Sequence, residues 1–164
     1  MRDVELEERL GAAVTADPAT MAKAGEVLAT APVGYLAMTD EDGPYVVPVS
    51  FAYDGEEIHF HGGEGKKAAA LTREPRVCLA ATTTPRAVKG DKPCAYNFEY
   101  RSVLAFGRVR LLNGQEERDA ALRAIIAKYH PESVTSDLDP EVFSRTKVYT
   151  MEIRALTYKQ NPGA

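Results

Sequence analysis

Two histidines, three glycines and two lysines fall within one short stretch, His59-Phe60-His61-Gly62-Gly63-Glu64-Gly65-Lys66-Lys67. A glycine turn running into a helix leaves backbone N–H groups unpaired at the end where the helix dipole is positive, and an anion such as a phosphate is favoured there. Gly62, Gly63 and Gly65 allow close backbone approach, and Lys66 and Lys67 add cationic charge at the same point. Glu64 is out of keeping with such a site, because a carboxylate beside a phosphate costs energy unless it points away. The run Gly62-Gly63-Glu64-Gly65 is not GxGxxG, which argues against a Rossmann dinucleotide site.

His61 stands just before the turn and can donate to an anion, with a charge that changes near neutral pH. Strict alternation over Ile58-His59-Phe60-His61 predicts Ile58 and Phe60 on an inner face and both histidines on the other, with His59 an ordinary surface residue. Two histidines at i and i+2 fall short of the three or four protein ligands of a stable metal site, and no compatible Asp, Cys or His repeats nearby, so no metal is expected. His130, followed by Pro131, reads as a helix C-cap. Tyr96, Asn97, Tyr100 and Arg101 form a polar and aromatic approach to a long strand. Arg101 offers a planar fork for a phosphate or carboxylate. No Ser-His-Asp order, carboxylate pair or activated cysteine signature stands out.

The elements that must position these groups follow from patterning. Asp17-Pro18 starts a helix whose stripe is Met21, Ala24, Val27 and Leu28. Residues 33–38 form a strand, Asp42-Gly43 a hairpin turn, and Tyr45 to Tyr53 the returning strand, in which Pro48 marks a bulge or an edge. After Asp54-Gly55 and the histidine strand, a short helix spans Lys66 to Thr72, stopped by Pro75. A strand covers Arg76 to Ala81, and Thr82 to Pro93 is a loop. A long strand covers Phe98 to Leu112, and Asn113-Gly114 is a turn. A helix covers Gln115 to Tyr129, with Ala120, Leu122, Ile125, Ile126 and Tyr129 on its buried side. A short helix at Pro140 to Ser144 precedes the final strand, Val148 to Leu156. Short turns between six strands favour a small antiparallel barrel with peripheral helices over a βαβ repeat.

In this order the pieces VLATAPVGYLAM, YVVPVSF, IHFHGGEGKK, EPRVCL, YRSVLAFGRVRLL and YTMEI resemble the FMN-binding split barrels, the pyridoxamine 5'-phosphate oxidase-like superfamily, and within it the Nim-type nitroimidazole-resistance branch. The resemblance spans roughly Ala19 to Thr157. It implies a mainly β, six-stranded antiparallel split barrel. It further implies FMN held between the subunits of a homodimer, with Lys66 and Lys67 on its phosphate. Val47, Pro48, Val49 and Ser50 would lie along the isoalloxazine ring, Ser50 being the chief polar contact. His61 would sit beside flavin and acceptor as the catalytic residue, and Tyr100 and Arg101 near the active cleft, reaching the partner's flavin. The implied activity is an FMN-dependent oxidoreductase passing electrons from NAD(P)H to a nitroimidazole or other small aromatic acceptor. A flavin- or haem-binding module for storage or sensing is the alternative, and a deazaflavin a third occupant.

Composition sets the outer bounds. At 164 residues and 45% apolar, one domain over residues 18–158 is expected, with an N-terminal arm or short helix at 1–17 and a tail at 159–164. A net charge of −4 and a pI near 5.5 argue against a nucleic-acid footprint. No stretch approaches a membrane span and no secretion signal pattern opens the chain, so a cytoplasmic protein is expected. Cys78 and Cys94 make neither a disulfide framework nor a metal motif.

Overall fold

The computed structural model describes residues 17–92, 96–134 and 137–162. The N-terminal arm short of Asp17, Cys94 and the last two residues lie outside this range. Helix α1 (Pro18–Thr30) starts where Asp17 accepts from the N–H groups of Ala19 and Thr20. Its Ala24, Val27 and Leu28 are fully buried, whereas Met21 at the start of the predicted stripe is exposed. Strands β1 (Gly34–Asp40), β2 (Gly43–Val49), β3 (Phe51–Tyr53) and β4 (Glu57–Gly62) lead into helix α2 (Lys66–Arg73). Then come β5 (Arg76–Thr82), β6 (Arg86–Val88), β7 (Asn97–Leu111), helix α3 (Gln115–Tyr129), a 3-10 turn at Pro131–Ser133, helix α4 (Pro140–Arg145) and β8 (Lys147–Asn161). All pairings are antiparallel, in the order β2-β1-β5-β7-β8-β4-β3 with β6 beside β7.

Among the described residues the strand count is therefore seven along the sheet plus β6, not six. One cause is that Tyr45–Tyr53, expected as a single strand, breaks at Ser50: β2 pairs with β1 at one edge of the sheet and β3 with β4 at the other. Because the two edges are halves of one stretch of chain, covalent continuity rather than a ladder joins them, which is what makes the barrel split. The other cause is β6, a short strand in the expected loop Thr82 to Pro93. Pro48 lies on the edge strand, where its missing N–H costs no ladder bond on the open side. The last strand also continues to Asn161, past the expected end at Leu156 and into the expected tail, because its far half pairs with Tyr100–Leu104.

Inside the barrel Val47, Leu36, Leu79, Ala105 and Leu156 form one cross-strand row, and Phe60 stacks on Tyr149 with ring centroids 5.3 Å apart. Helix α3 crosses the outer side of β3, β4 and β8. Its buried residues are Ala121 and Ile125, and Ala120, predicted to be inside, faces solvent. His130 caps this helix through its backbone N–H to the Ile126 carbonyl, as expected.

The break at Ser50 is tied down by the C-terminal end of α3. The Tyr129 hydroxyl accepts from the Phe51 N–H at 3.1 Å, satisfying a donor that a continuous ladder would have paired. Next to it the Lys128 ammonium lies 3.5 Å from the centroid of the Phe51 ring and donates to the Leu28 carbonyl in the last turn of α1. Desolvation lowers the Lys128 pKa to about 8 from an ordinary 10.5.

Gly107 sits at the register shift between β7 and β8, where a Cβ would lie 2.0 Å from the Glu152 carbonyl oxygen. Because that contact is with backbone, Gly107→Ala should lower stability by about 3 kcal/mol, the upper end of overpacking costs, as measured by urea unfolding. For Lys128, the unfolded chain holds its proton up to about pH 10.5 while the folded chain gives it up near 8. Stability referred to a Lys128→Met variant should thus rise with pH between those limits and be level below pH 8. A flat difference across that window would contradict the desolvated ammonium.

Candidate functional site

At one end of the barrel β4 runs out through His61 and Gly62 into the turn before α2. Gly65 is the N-cap, with φ 134° and no side-chain bond to the first helical N–H groups, so these donors face outward unpaired by any cap. A Cβ at Gly63 or Gly65 would meet nothing within 4 Å, whereas one at Gly62 would lie 2.5 Å from the Lys67 Nζ. The glycines thus leave open space at Gly63 and Gly65, with the Lys67 ammonium against Gly62.

The two lysines have separate positions. Lys66 Nζ bridges Asp40 (2.9 Å) and Asp42 (3.2 Å) and lies over the Tyr45 ring, which fastens α2 to the β1–β2 hairpin. Its pKa is raised by these two carboxylates, and that of Asp40 is lowered by the same contact. Lys67 turns toward the end of β4: its Nζ donates to the His61 carbonyl at 2.9 Å and lies 5.7 Å from the Phe60 ring centroid. Desolvation lowers its pKa, so its charge lacks a balancing anion at close range. Glu64 pairs with Lys147 at 2.8 Å. Both side chains line a shallow cavity of about 630 Å³ with Gly65, Ala68 and Arg73, so the Glu64 carboxylate stays beside the turn with its charge offset by Lys147.

His61 is solvent-accessible, opposite Val148 on β8. Desolvation by the surrounding protein, then the charge of Lys67, lowers its pKa from the ordinary 6.5, so the neutral imidazole prevails at neutral pH. His59 departs from its predicted surface position. It is buried, because α3 covers that side of β4, and its Nε2 pairs with Asp54 Oδ2 at 2.9 Å.

Val47, Pro48, Val49 and Ser50 run along the open edge of the sheet: Pro48 and Ser50 are exposed, Val47 half-buried and Val49 buried. Tyr100 and Arg101 are elsewhere. Tyr100 pairs with Asn161 and His61 with Val148, at opposite ends of β8, roughly 40 Å apart along the strand. There Tyr100 and Arg101 line a cavity of about 630 Å³ with Lys23, Thr83, Tyr158 and Gln160, and the Arg101 fork is engaged by Glu26 at 2.9 Å. One chain therefore brings His61, Gly62, Gly63 and Lys67 together, with Lys66 alongside, and leaves Tyr100 and Arg101 in a second cluster. The sequence signals no role for Asp40 or Lys128, nor for Asp42 beyond its hairpin turn, because their partners are distant along the chain. Among the described residues no three of His, Cys, Asp and Glu converge on one point, and no helix is long and apolar enough to cross a membrane.

A split antiparallel barrel with a basic, uncapped helix N-terminus at the mouth of one strand defines the class of protein. The chain belongs to the pyridoxamine 5'-phosphate oxidase family, whose model matches residues 21–160. Among solved structures it is similar to a proposed 5-nitroimidazole antibiotic resistance protein from Bacteroides thetaiotaomicron, at 26% identity and TM-score 0.71, covering 88% of this chain and 84% of that one. The flavocytochrome Anf3 from Azotobacter vinelandii shares the fold at 20% identity and TM-score 0.74 (93% and 71% covered). So does an FAD- and haem-binding protein from Mycobacterium smegmatis, at 20% and 0.74 (84% and 69% covered). No curated protein matches the sequence.

The His61 shift has a sign that can be measured. As pH falls, the unfolded chain takes up this proton near 6.5 and the folded chain only lower, so His61 makes stability decline from about pH 6.5 down to its folded pKa. In Lys67→Met the coulombic part of the shift is gone. The imidazole titration followed by NMR should then move up toward 6.5 without reaching it, since desolvation is the larger cause.

Proposed function

We propose that this chain is an FMN-binding oxidoreductase acting as a homodimer on a small aromatic acceptor, with NAD(P)H as electron donor. The observation that carries the reading is the turn from Gly62 to Gly65: unpaired helix N–H groups, open space over two glycines, and a desolvated Lys67 ammonium with no carboxylate partner beside it. That donor set fits a phosphate. Lys67 and the first N–H groups of α2 would hold it, Lys66 would hold the helix to the hairpin, and the edge of β2 from Val47 to Ser50 would offer backbone groups to the polar rim of the ring. When bound, FMN supplies the hydride and electron chemistry. His61, neutral at working pH and free to donate a hydrogen bond, orients the acceptor. Flavin is also named for two of the solved relatives, Anf3 and the Mycobacterium smegmatis protein, which supports a flavin over other anions.

Dimerisation is supported by the outer face of the sheet. Cross-strand rows Pro48–Tyr35–Ala80–Leu104 and Val46–Ala37–Cys78–Phe106 form an apolar surface, with Tyr35 53% and Val46 56% exposed. A second copy seated there would cover it and would allow the Tyr100–Arg101 cluster of one chain to approach the phosphate end of the other.

Titration with FMN followed by absorbance and fluorescence tests the proposal. Lys67→Ala should weaken FMN binding about tenfold or more, the worth of a charge-assisted hydrogen bond. Lys66→Ala should chiefly lower thermal stability by freeing the hairpin. His61→Ala should retain FMN while slowing reoxidation of the NADH-bleached flavin by a nitroaromatic acceptor. Protein that takes up no FMN at micromolar concentration, or that shows a haem or deazaflavin spectrum instead, would overturn the assignment.

A further inference from the structure

Two buried polar atoms share a feature that the site does not account for. His59 Nδ1 and Thr150 Oγ1 are both inaccessible to solvent, and among the described residues neither has a hydrogen-bond partner. Thr150 is fully buried and His59 more than nine-tenths so. They are not independent, because His59 and Thr150 are directly opposed in the β4–β8 ladder, so their side chains leave the sheet on the same face, under α3.

Opposed residues on one face of an antiparallel pair have Cβ atoms about 5 Å apart, which brings their polar atoms within reach of one shared water. The chemistry of the two ends matches. Asp54 can only accept, so in the neutral ring Nε2 carries the hydrogen and Nδ1 presents a lone pair that requires a donor. The Thr150 hydroxyl can donate or accept. Leaving both unmet would cost about 1–3 kcal/mol each, and buried polar groups in this position are met by ordered water.

We propose that a single water molecule is bound between His59 Nδ1 and Thr150 Oγ1, completing a chain Asp54–His59–water–Thr150 that pins β4 to β8. The water fixes the His59 tautomer and holds the strand whose next carbonyl but one, that of His61, receives Lys67. His59 and Thr150 are thus positioning residues, and the inference stands whether or not a flavin binds.

The isosteric variant Thr150→Val decides the matter through its sign. Deleting a hydroxyl that has no partner would stabilise the protein, whereas deleting one end of a water bridge should lower the folding equilibrium constant about fivefold. In a cycle with His59→Phe the two effects should be non-additive. Oxygen-17 relaxation dispersion should count one fewer long-lived internal water in Thr150→Val than in the parent, with the count kept in Thr150→Ser. Nitrogen-15 shifts of His59 should report an Nε2–H tautomer in the parent. A stabilised Thr150→Val, additive effects, or an unchanged water count would overturn the bridge, and a destabilised variant with an unchanged count would mean that the histidine and threonine bond directly.

Discussion

The structure depends on one interruption. At Ser50 the strand that began at Gly43 leaves one ladder, and at Phe51 it joins another, so the two edges of the sheet are joined by the chain itself. A break of this kind frees backbone donors and acceptors that have to be satisfied elsewhere. Tyr129 meets the Phe51 N–H, and Lys128 covers the Phe51 ring while capping α1 through Leu28. Three elements distant in sequence therefore converge on a single residue. The half-buried ammonium among them costs desolvation free energy that a methionine would avoid, but a methionine could not bond the Leu28 carbonyl.

From that break follows the geometry at the other end of β4. With β3 and β4 paired on one flank and β8 on the other, Phe60 is fixed by its stack on Tyr149, and the carbonyl of His61 is held where Lys67 reaches it. Electrostatics then divides the work between adjacent lysines. Lys66 meets two carboxylates, so its charge is spent on architecture; Lys67 meets a neutral carbonyl and an aromatic face, so its charge is not offset in the same way. The turn carboxylate Glu64 is drawn off by Lys147 in the same way. Of the charges in the turn sequence, the arrangement leaves one cation beside the open helix end.

Much of this was legible in the chain because it is local. Asp17-Pro18, Asp42-Gly43, Asp54-Gly55 and Gly65 mark their turns and caps by residue type alone, and alternation assigned Ile58 and Phe60 to the interior. The rest was hidden because it depends on what covers a face. His59 alternates with Phe60 and so was expected in solvent, but α3, arriving more than fifty residues later, buries it. The break at Ser50 is not located for a related reason: Pro48 flags a bulge or an edge within Tyr45 to Tyr53, but the change of partner comes two residues later and is decided by β1 and β4. Ala120 and Ala121 are alike in propensity, and which one is inside is set by the angle at which the helix crosses the strands.

The separation of the two clusters within one chain bears on how the fold is used. Lys67 and His61 are at one end of β8, and Tyr100 and Arg101 at the other, with Arg101 held by Glu26 of α1. A single barrel cannot fold the second cluster onto the first without breaking the β7–β8 ladder, the longest pairing in the molecule. The apolar outer rows that contain Tyr35, Val46 and Leu104 lie on the strands between the two clusters, and among the described residues no helix or strand covers Tyr35 and Val46, so their exposure to water has a standing cost. An antiparallel arrangement of two copies across that face would set each end against the other's opposite end, so burying the surface and completing the site would be one event.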